Sequence, residues 1–214
     1  MRQTSCVVID YGIGNVFSVM QSLVQCGITP TLSSDRTTIL AADRVIFPGV
    51  GAFGRAANML KQRGLDDTIY EFINKERPFL GICVGMQLMM EEGYEFGLQK
   101  GLGIFKGKVD IIDIKDDSGE NLRVPLIGWN TPVPTTSNRW QNTPFAATAM
   151  DTDYYFVHSY EVQAQDPNDV AATVSVGTSS VTAAIHRDHI MGVQFHPEKS
   201  ALGGQQFLKG FLAL

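Results

Sequence analysis

The chain has 214 residues, of which 44% are hydrophobic and 18% charged, and its net charge is −5. This composition suits one folded domain over residues 1–214 and excludes a basic surface for a nucleic-acid backbone. No apolar run is long enough for a signal peptide or a membrane span. Three widely spaced cysteines without a C-x-x-C pair indicate neither a disulfide framework nor a zinc ribbon, so we expect a soluble cytoplasmic protein.

The first half of the chain alternates short apolar strands with amphipathic helices. We predict strands at 6–9, 29–32, 44–47 and 78–82, and helices at 16–24, at 55–75 with a break near Gly64, and at 84–91. Apolar strands that alternate with helices indicate a mostly parallel sheet with helices on both faces.

After about residue 100, short strands separated by turns dominate. We predict strands at 103–115, 122–126, 154–162, 170–176, 180–186 and 190–195, a hairpin turn at 116–119 and a terminal helix at 205–212. The polar, irregular stretch 131–150 is predicted to be a surface loop. The predicted fold is therefore α/β, with antiparallel strands added in the C-terminal half.

The segment Gly81-Ile82-Cys83-Val84-Gly85 has the form G-x-C-x-G between a predicted strand and a predicted helix. This layout is typical of a nucleophile elbow, in which a strained turn projects the nucleophile above the sheet. Flanking glycines let the neighbouring backbone pass closely, and a helix beginning after Cys83 would favour the thiolate. Cys6 and Cys26 lie inside strand and helix patterns and are predicted to be structural.

A cysteine nucleophile needs a base, and a third group usually orients that base. His196 ends an apolar strand, and Glu198 follows two residues later, where its side chain would share a face with the imidazole. Cys83, His196 and Glu198 are the predicted triad. His158, in an alternating strand, is the second candidate for the base.

Two other kinds of site were considered. His186 and His189 are separated as metal ligands could be, but no third ligand accompanies them, so no metal is predicted. The segment 10–15 partly matches a dinucleotide-binding fingerprint and has Asp35 at a suitable distance, but Phe17 occupies the position of the last glycine. Nucleotide binding is therefore the less favoured interpretation.

The loop Pro48-Gly49-Val50-Gly51 follows a predicted strand and would lie beside the elbow at the same edge of a parallel sheet. Acyl transfer requires hydrogen-bond donors directed at the developing oxyanion. The backbone N–H groups of Val50 or Gly51 and of Val84 are the candidate donors, and the alternative is an ordinary strand-to-helix turn.

The motifs GICVGMQ, PGVGAFG and FHPEKS, in this order, resemble those of the class I, or triad, glutamine amidotransferases. Within that family, DYGIGN, IGWN, YFVHSY and GVQFHPEKS are similar to the glutaminase subunits of imidazole glycerol phosphate synthases. The resemblance covers nearly the whole chain and implies the flavodoxin-like fold of that family. It also implies a triad at Cys83, His196 and Glu198, glutamine binding at Gly51, Gln87, Glu95, Ser159 and Tyr160, and an interface at Trp129, Asn130 and Tyr155.

The implied partner is a (β/α)₈-barrel cyclase in a heterodimer, and the implied reaction releases ammonia from glutamine through a thioester, without a metal or organic cofactor. One alternative is a related amidotransferase that supplies ammonia to a sugar-modifying synthase for surface polysaccharides. Another is a stand-alone cysteine hydrolase, which would need no partner and would not prefer glutamine. A non-catalytic binding subunit is disfavoured by the intact triad.

Overall fold

The computed structural model describes residues 4–214. The strands within this range are β1 (Cys6–Ile9), β2 (Thr31–Ser33), β3 (Arg44–Gly49), β4 (Phe79–Cys83), β5 (Met90–Gly93), β6 (Gln99–Lys100), β7 (Phe105–Ile111), β8 (Leu126–Asn130), β9 (Val133–Pro134), β10 (Tyr154–His158), β11 (Tyr160–Ala164), β12 (Val170–Val176), β13 (Ser179–Arg187) and β14 (Ile190–Val193). The α-helices are α1 (Val16–Gln25), α2 (Arg36–Ala41), α3 (Phe53–Gln62), α4 (Leu65–Ile73), α5 (Val84–Gln87) and α6 (Ala201–Ala213). Short 3₁₀ turns lie at Pro144–Ala147, Pro167–Asp169 and Pro197–Lys199.

The main sheet has eight strands in the order β2-β1-β3-β4-β14-β13-β12-β9. The first five strands are parallel, and the last three continue the sheet in antiparallel fashion. This arrangement confirms the predicted α/β fold with antiparallel strands in the C-terminal half. A four-stranded sheet, β11-β7-β5-β6, and the β8–β10 pair are built alongside it.

The parallel strands are buried, and two groups of helices cover them. Helix α1 packs with α6, while α2 and α3 pack with α4. The core is rich in phenylalanine, and Phe47 and Phe79 pack against each other across adjacent strands with ring centroids 6.0 Å apart. Among residues 4–214, no helix is both long enough and apolar enough to cross a membrane.

The predicted helix at 84–91 is wrong beyond its first turn. Helix α5 ends at Gln87, and the chain then enters β5, which pairs with β7. All residues from 84 to 90 are buried, so this stretch lacks the periodic polar positions that distinguish a half-exposed helix from a strand. The pairing of β5 with β7 decides that the chain forms a strand, and not a longer helix, after Gln87.

Two predicted strands also differ from the structure. The stretch 122–125 is not a strand, and β8 begins only at Leu126, after the cis Val124–Pro125 peptide. The predicted strand at 154–162 is interrupted at Ser159, because β10 pairs with β8 whereas β11 pairs with β7. The interruption leaves Ser159 at the junction of two different sheets.

The stretch 131–150, predicted to be a surface loop, is only partly one. Trp140 and Phe145 are buried, and their rings stack with centroids 4.3 Å apart. The indole N–H of Trp140 donates to the carbonyl of Ala171, and Phe145 contacts Phe207 of α6. These aromatic side chains attach an irregular backbone to the core.

Candidate active site

Cys83 lies at the last residue of β4 and directly before α5, with φ 54° and ψ −114°. Positive φ is unusual for a residue with a Cβ and marks the strained turn that the G-x-C-x-G pattern predicts. A Cβ on Gly85 would lie 1.9 Å from the carbonyl oxygen of Phe47, and one on Gly81 would lie 2.5 Å from the sulfur of Met89. Both glycines are therefore required by close packing.

Helix α5 has only four residues, so its dipole contributes less to the thiolate than the sequence led us to expect.

His196 and Glu198 form a buried pair at the end of the neighbouring strand. Imidazole Nδ1 lies 2.8 Å from Glu198 Oε1, and the two side chains are 3% and 1% exposed. Burial would lower the pKa of His196, but its contacts with Cys83 and Glu198 raise that pKa to about 10. The imidazolium is therefore the favoured form at neutral pH.

Glu198 does not reach the imidazole of His196 from an extended chain, as was predicted from the sequence. Glu198 lies in the 3₁₀ turn Pro197–Lys199, and this turn brings its carboxylate back toward His196. The hydroxyl of Ser200 donates to the carbonyl of His196 at 2.6 Å and also accepts from the N–H of Tyr155 at 3.0 Å. Ser200 thus connects this turn to β10.

His158 lies on the opposite side of the same cavity and has the opposite protonation behaviour. Its Nδ1 donates to the carbonyl of Tyr160 at 2.9 Å. Burial is the main reason that its pKa falls to about 4, and repulsion from His196 adds to that fall. An imidazole with a pKa of about 4 is a weak base, and among residues 4–214 His158 has no carboxylate partner to stabilise its protonated form, so the geometry favours His196.

The predicted oxyanion loop lies beside the elbow because Gly49 of β3 is paired with Cys83 of β4. A Cβ on Gly49 would lie 2.6 Å from the backbone nitrogen of Gly85, so Gly49 is closely packed. Gly51 has φ +86° and no heavy atom within 4 Å of an added Cβ. The loop is therefore held at one end and has free space at the other.

A cavity of about 390 Å³ opens at this edge of the sheet, over the thiol. The predicted oxyanion and glutamine-binding residues all line it. The lining comprises Val50, Gly51, Cys83, Val84, Gln87, Glu95, Pro125, Val157, His158, Ser159, Tyr160, His196 and Lys199.

Two of the predicted substrate-binding side chains already have protein partners. Both amide hydrogens of Gln87 are used, since its Nε2 donates at 3.0 Å to the carbonyl of Tyr160 and at 3.0 Å to Gln194 Oε1. One carboxylate oxygen of Glu95 accepts from the N–H of Phe53 at 2.7 Å. The carbonyl oxygen of Gln87 and the second carboxylate oxygen of Glu95 are the atoms left for a ligand.

The three predicted interface residues are neighbours on the β8–β10 pair. Trp129 is paired with Tyr155, and Asn130 with Tyr154. The rings of Trp129 and Tyr155 meet edge to face at 5.9 Å, and Trp129 remains 53% exposed. Lys199 Nζ lies 5.8 Å from the Tyr155 ring centroid, so this surface reaches the mouth of the cavity.

The residues considered for other sites have structural contacts. His189 Nε2 is 2.8 Å from the carbonyl oxygen of Ile73, and residues 4–214 contain no group of three or more potential metal-binding side chains. Asp35 caps α2 by accepting from the N–H of Thr38 at 2.7 Å.

Gln194 and Tyr11 also lie at the site, although no sequence motif predicted them. Gln194 contacts Cys83, and its position two residues before His196 at the end of an apolar strand was the available signal. Tyr11 is fully buried, and its hydroxyl has no hydrogen-bond partner among residues 4–214. A Cβ on Gly49 would lie 2.7 Å from that hydroxyl, which places Tyr11 behind the oxyanion loop.

The chain is similar to known proteins over nearly its full length. Residues 7–213 match the family model described as glutamine amidotransferase class-I. The chain is 44% identical to the imidazole glycerol phosphate synthase subunit HisH of Thermosynechococcus vestitus, covering 100% of this chain and 99% of that protein. The subunit of the same name from Geobacter sulfurreducens is 39% identical, covering 97% of this chain and 98% of that protein.

Two solved structures share the fold. PurLQS from Thermotoga maritima superposes with a TM-score of 0.73 at 16% identity, covering 99% of both chains. A structure described as glutamine amidotransferase superposes with a TM-score of 0.71 at 15% identity, covering 97% of both chains.

Proposed function

The chain belongs to the class I glutamine amidotransferases, and we propose that it is the glutaminase subunit of an imidazole glycerol phosphate synthase, supplying ammonia for histidine biosynthesis. The relatives named as that subunit match almost the full chain at 39% and 44% identity, which supports this assignment. The observation that carries the chemistry is the arrangement of Cys83, His196 and Glu198 beside one cavity. A reducing cytoplasmic setting is proposed with it, since Cys83 must remain a free thiol.

The first half-reaction forms a thioester. The Cys83 thiolate attacks the side-chain amide carbon of glutamine, and the resulting oxyanion accepts hydrogen bonds from the N–H groups of Val84 and of Val50 or Gly51. The His196 imidazolium then gives its proton to the amide nitrogen, the carbon–nitrogen bond breaks, and ammonia leaves. The raised pKa of His196, about 10, suits a group that must begin as an acid.

The second half-reaction releases glutamate. His196, now neutral, takes a proton from water while the water oxygen attacks the thioester carbon. The Cys83 thiolate leaves, and the imidazolium is restored. Glu198 holds Nδ1 of His196, so the other ring nitrogen is the one that exchanges protons. No metal or organic cofactor takes part in these steps.

Substrate binding is proposed at the far side of the cavity. The free carboxylate oxygen of Glu95 can accept a hydrogen bond from the α-ammonium group of glutamine. The backbone around Ser159 and Tyr160 lines the cavity and is proposed to bind the other polar atoms of glutamine. The interruption between β10 and β11 supports this role, because it leaves Ser159 outside both strands.

Ammonia is useful only if it reaches the acceptor before it is protonated in bulk water, so a docked synthase is part of the proposal. The proposed partner is a (β/α)₈-barrel cyclase that covers Trp129, Asn130 and Tyr155 in a heterodimer. Trp129 is exposed and its ring contacts Tyr155, which in turn lies next to the cavity-lining Lys199; this supports the proposal, since aromatic residues are enriched at interface centres.

The proposed subunit should be slow alone and faster with its partner and acceptor. The free space at Gly51 would allow the loop to present its N–H only in the complex. Loss of one oxyanion donor typically costs about 10² to 10³ in rate. Glutamate release by the chain alone, with the cyclase, and with cyclase plus acceptor tests this directly.

Three outcomes of that experiment distinguish the alternatives. Stimulation by the cyclase and its acceptor supports the proposed function. Stimulation only by a sugar-modifying synthase keeps the glutaminase and rejects the histidine pathway. Equal rates in all three conditions would indicate a stand-alone cysteine hydrolase.

A surface substitution tests the proposed interface. Trp129→Ala should weaken cyclase binding by about 2 kcal/mol, or roughly 30-fold, as expected for an interface hot spot. The melting temperature of the isolated chain should change little, because Trp129 is 53% exposed. Val133→Ala, on the edge strand β9, removes another exposed apolar side chain and should leave binding unchanged. Equal affinities for wild type and Trp129→Ala would contradict the interface.

A further inference from the structure

Gln194 is a fully buried glutamine next to the proposed nucleophile, and the mechanism above assigns it no role. Its exposed fraction is 0%. Strands β14 and β4 run in parallel with Gly192 opposite Gly81 and Val193 opposite Ile82. The next step along both strands brings Gln194 beside Cys83, where its Nε2 lies 3.6 Å from the sulfur.

The orientation of this amide is determined by a chain of hydrogen bonds. The carbonyl of Tyr160 can only accept, so the Gln87 amide must turn its nitrogen toward it, at 3.0 Å. The second N–H of that nitrogen donates to Oε1 of Gln194 at 3.0 Å. Gln194 therefore has its oxygen toward Gln87 and its nitrogen toward the sulfur of Cys83.

A buried amide is costly unless its polar atoms are satisfied, and an apolar side chain would fill the same position without that cost. Satisfying Gln87 requires only an acceptor at position 194. The N–H directed at Cys83 is therefore an additional feature. Its value is largest when the sulfur is charged, because hydrogen bonds to ionised acceptors are about twice as strong as neutral ones.

We propose that Gln194 donates a hydrogen bond to the Cys83 thiolate and thereby stabilises it, with Gln87 and the carbonyl of Tyr160 holding Gln194 in position. This inference deepens the proposed function, on which it depends only for the role of Cys83 as the nucleophile. It also assigns the two N–H groups of Gln87 to supporting the nucleophile, which leaves its carbonyl oxygen for the substrate.

A stabilised thiolate is more abundant but intrinsically less nucleophilic, and these two effects dominate at different pH. Loss of the donor should raise the pH midpoint of Cys83 alkylation by about one unit, a modest fraction of the shift that hydrogen bonds to thiolates and carboxylates produce. With a Brønsted coefficient near one half, the remaining thiolate becomes about threefold more reactive. The variant should therefore react about threefold more slowly at low pH and about threefold faster at high pH.

The test is the rate of Cys83 carbamidomethylation by iodoacetamide, followed by mass spectrometry of the peptide containing Cys83, from about pH 5 to about pH 10. Gln194→Met keeps the size of the side chain and removes the donor. The control, Gln205→Met, breaks the hydrogen bond of Gln205 Nε2 to Gln25 Oε1 at 2.9 Å, outside the cavity. We expect crossing rate profiles for Gln194→Met and an unchanged profile for Gln205→Met.

Gln194→Leu provides a second measurement, whatever the stability of Gln194→Met. It also removes the donor, so its midpoint should rise as that of Gln194→Met does. A profile identical to wild type in any folded Gln194 variant would overturn the inference, as would a uniform loss of rate without a crossing. If wild type alkylates as expected but does not hydrolyse glutamine with its partner, the proposed function fails and the inference stands.

Discussion

In the N-terminal half of the main sheet, β1 to β4, the proposed nucleophile is positioned by the backbone, whereas in the C-terminal half the proposed base, at the end of β14, is positioned by buried polar side chains. Cys83 is held by a left-handed turn whose neighbours, Gly81 and Gly85, leave no space for a Cβ. His196 has an ordinary extended backbone and is held by its 2.8 Å contact with Glu198. The site lies where the two halves meet, between β4 and β14.

The comparison indicates that the two halves should respond differently to substitution. A change in the shape of the elbow affects folding, because backbone atoms of β3 lie directly against it. A change in the polar side chains at the end of β14 affects protonation and turnover, because their contacts involve ionisable groups.

The largest expected effect is loss of the nucleophile itself. Cys83→Ala should lower glutamine hydrolysis by on the order of 10⁴-fold or more while the chain remains folded. Glutamate release and thermal melts check both parts, and Cys26→Ala, which removes a thiol outside the cavity, is the control. The Cys83→Ala complex should still form product from added ammonium. Activity within tenfold of wild type would reject the nucleophile.

Substitutions in the C-terminal half should distinguish the proposed base from the group that orients it. His196→Ala should lower kcat/KM by about 10² to 10⁴, the range typical of general acid–base catalysis. Glu198→Gln should lower it less, because Glu198 orients the imidazole whereas His196 itself transfers the protons. Steady-state kinetics of both variants provide the measurement. If Glu198→Gln were the more damaging, Glu198 would need a direct role in proton transfer.

In the N-terminal half, Gly85→Ala should damage folding more than chemistry. Its Cβ would lie 1.9 Å from the carbonyl oxygen of Phe47, so we expect destabilisation of about 3 kcal/mol, the upper end for overpacking. Gly54→Ala is the control, since the nearest atom to its Cβ is 3.0 Å away on the flexible side chain of Gln99. Chemical denaturation compares the two. Equal stability of both variants would contradict a closely packed elbow.

The smallest expected effect concerns the pH dependence of stability through His158. Burial lowers the folded pKa of His158 to about 4, so the unfolded chain takes up a proton before the folded chain does as the pH falls. The contribution of His158 to the free energy of unfolding is fully present above the ordinary histidine pKa. It is lost as the pH falls from about 6.5 to about 4. The loss should be about 2 to 3 kcal/mol, and His158→Gln should remove it.

Urea denaturation of wild type and His158→Gln at pH 7 and at about pH 4.5 measures this difference. The stabilities of the two proteins should converge as the pH falls. An equal loss of stability in both proteins would show that His158 does not contribute to the acid sensitivity.

Much of the site was predictable because its motifs are local. The G-x-C-x-G pattern determines a tight strand-to-helix turn over five consecutive residues, and His196 and Glu198 are only two residues apart. The parallel sheet followed from apolar strands that alternate with helices. The positions of Val50 and Gly51 followed from the general rule that strand ends meet at one edge of a parallel sheet.

Three of the failures share one physical cause, which is that the outcome depended on a distant partner. The segment 84–91 could not be predicted as a turn followed by a strand without its pairing to β7. The strand is broken at Ser159 because the residues before it pair with β8 and the residues after it pair with β7. Trp140 and Phe145 are buried only because the C-terminal helix and its neighbours provide a surface for them.

The sequence by itself determined which side chains are proposed to carry the chemistry, since residue type and close spacing indicate a candidate nucleophile, a candidate base and its carboxylate. Only the tertiary structure decided that Gln194 directs its amide at Cys83, because this contact requires the register between β14 and β4. It also decided the opposite protonation of His158 and His196, because burial is common to both and only His196 has a carboxylate within hydrogen-bonding distance.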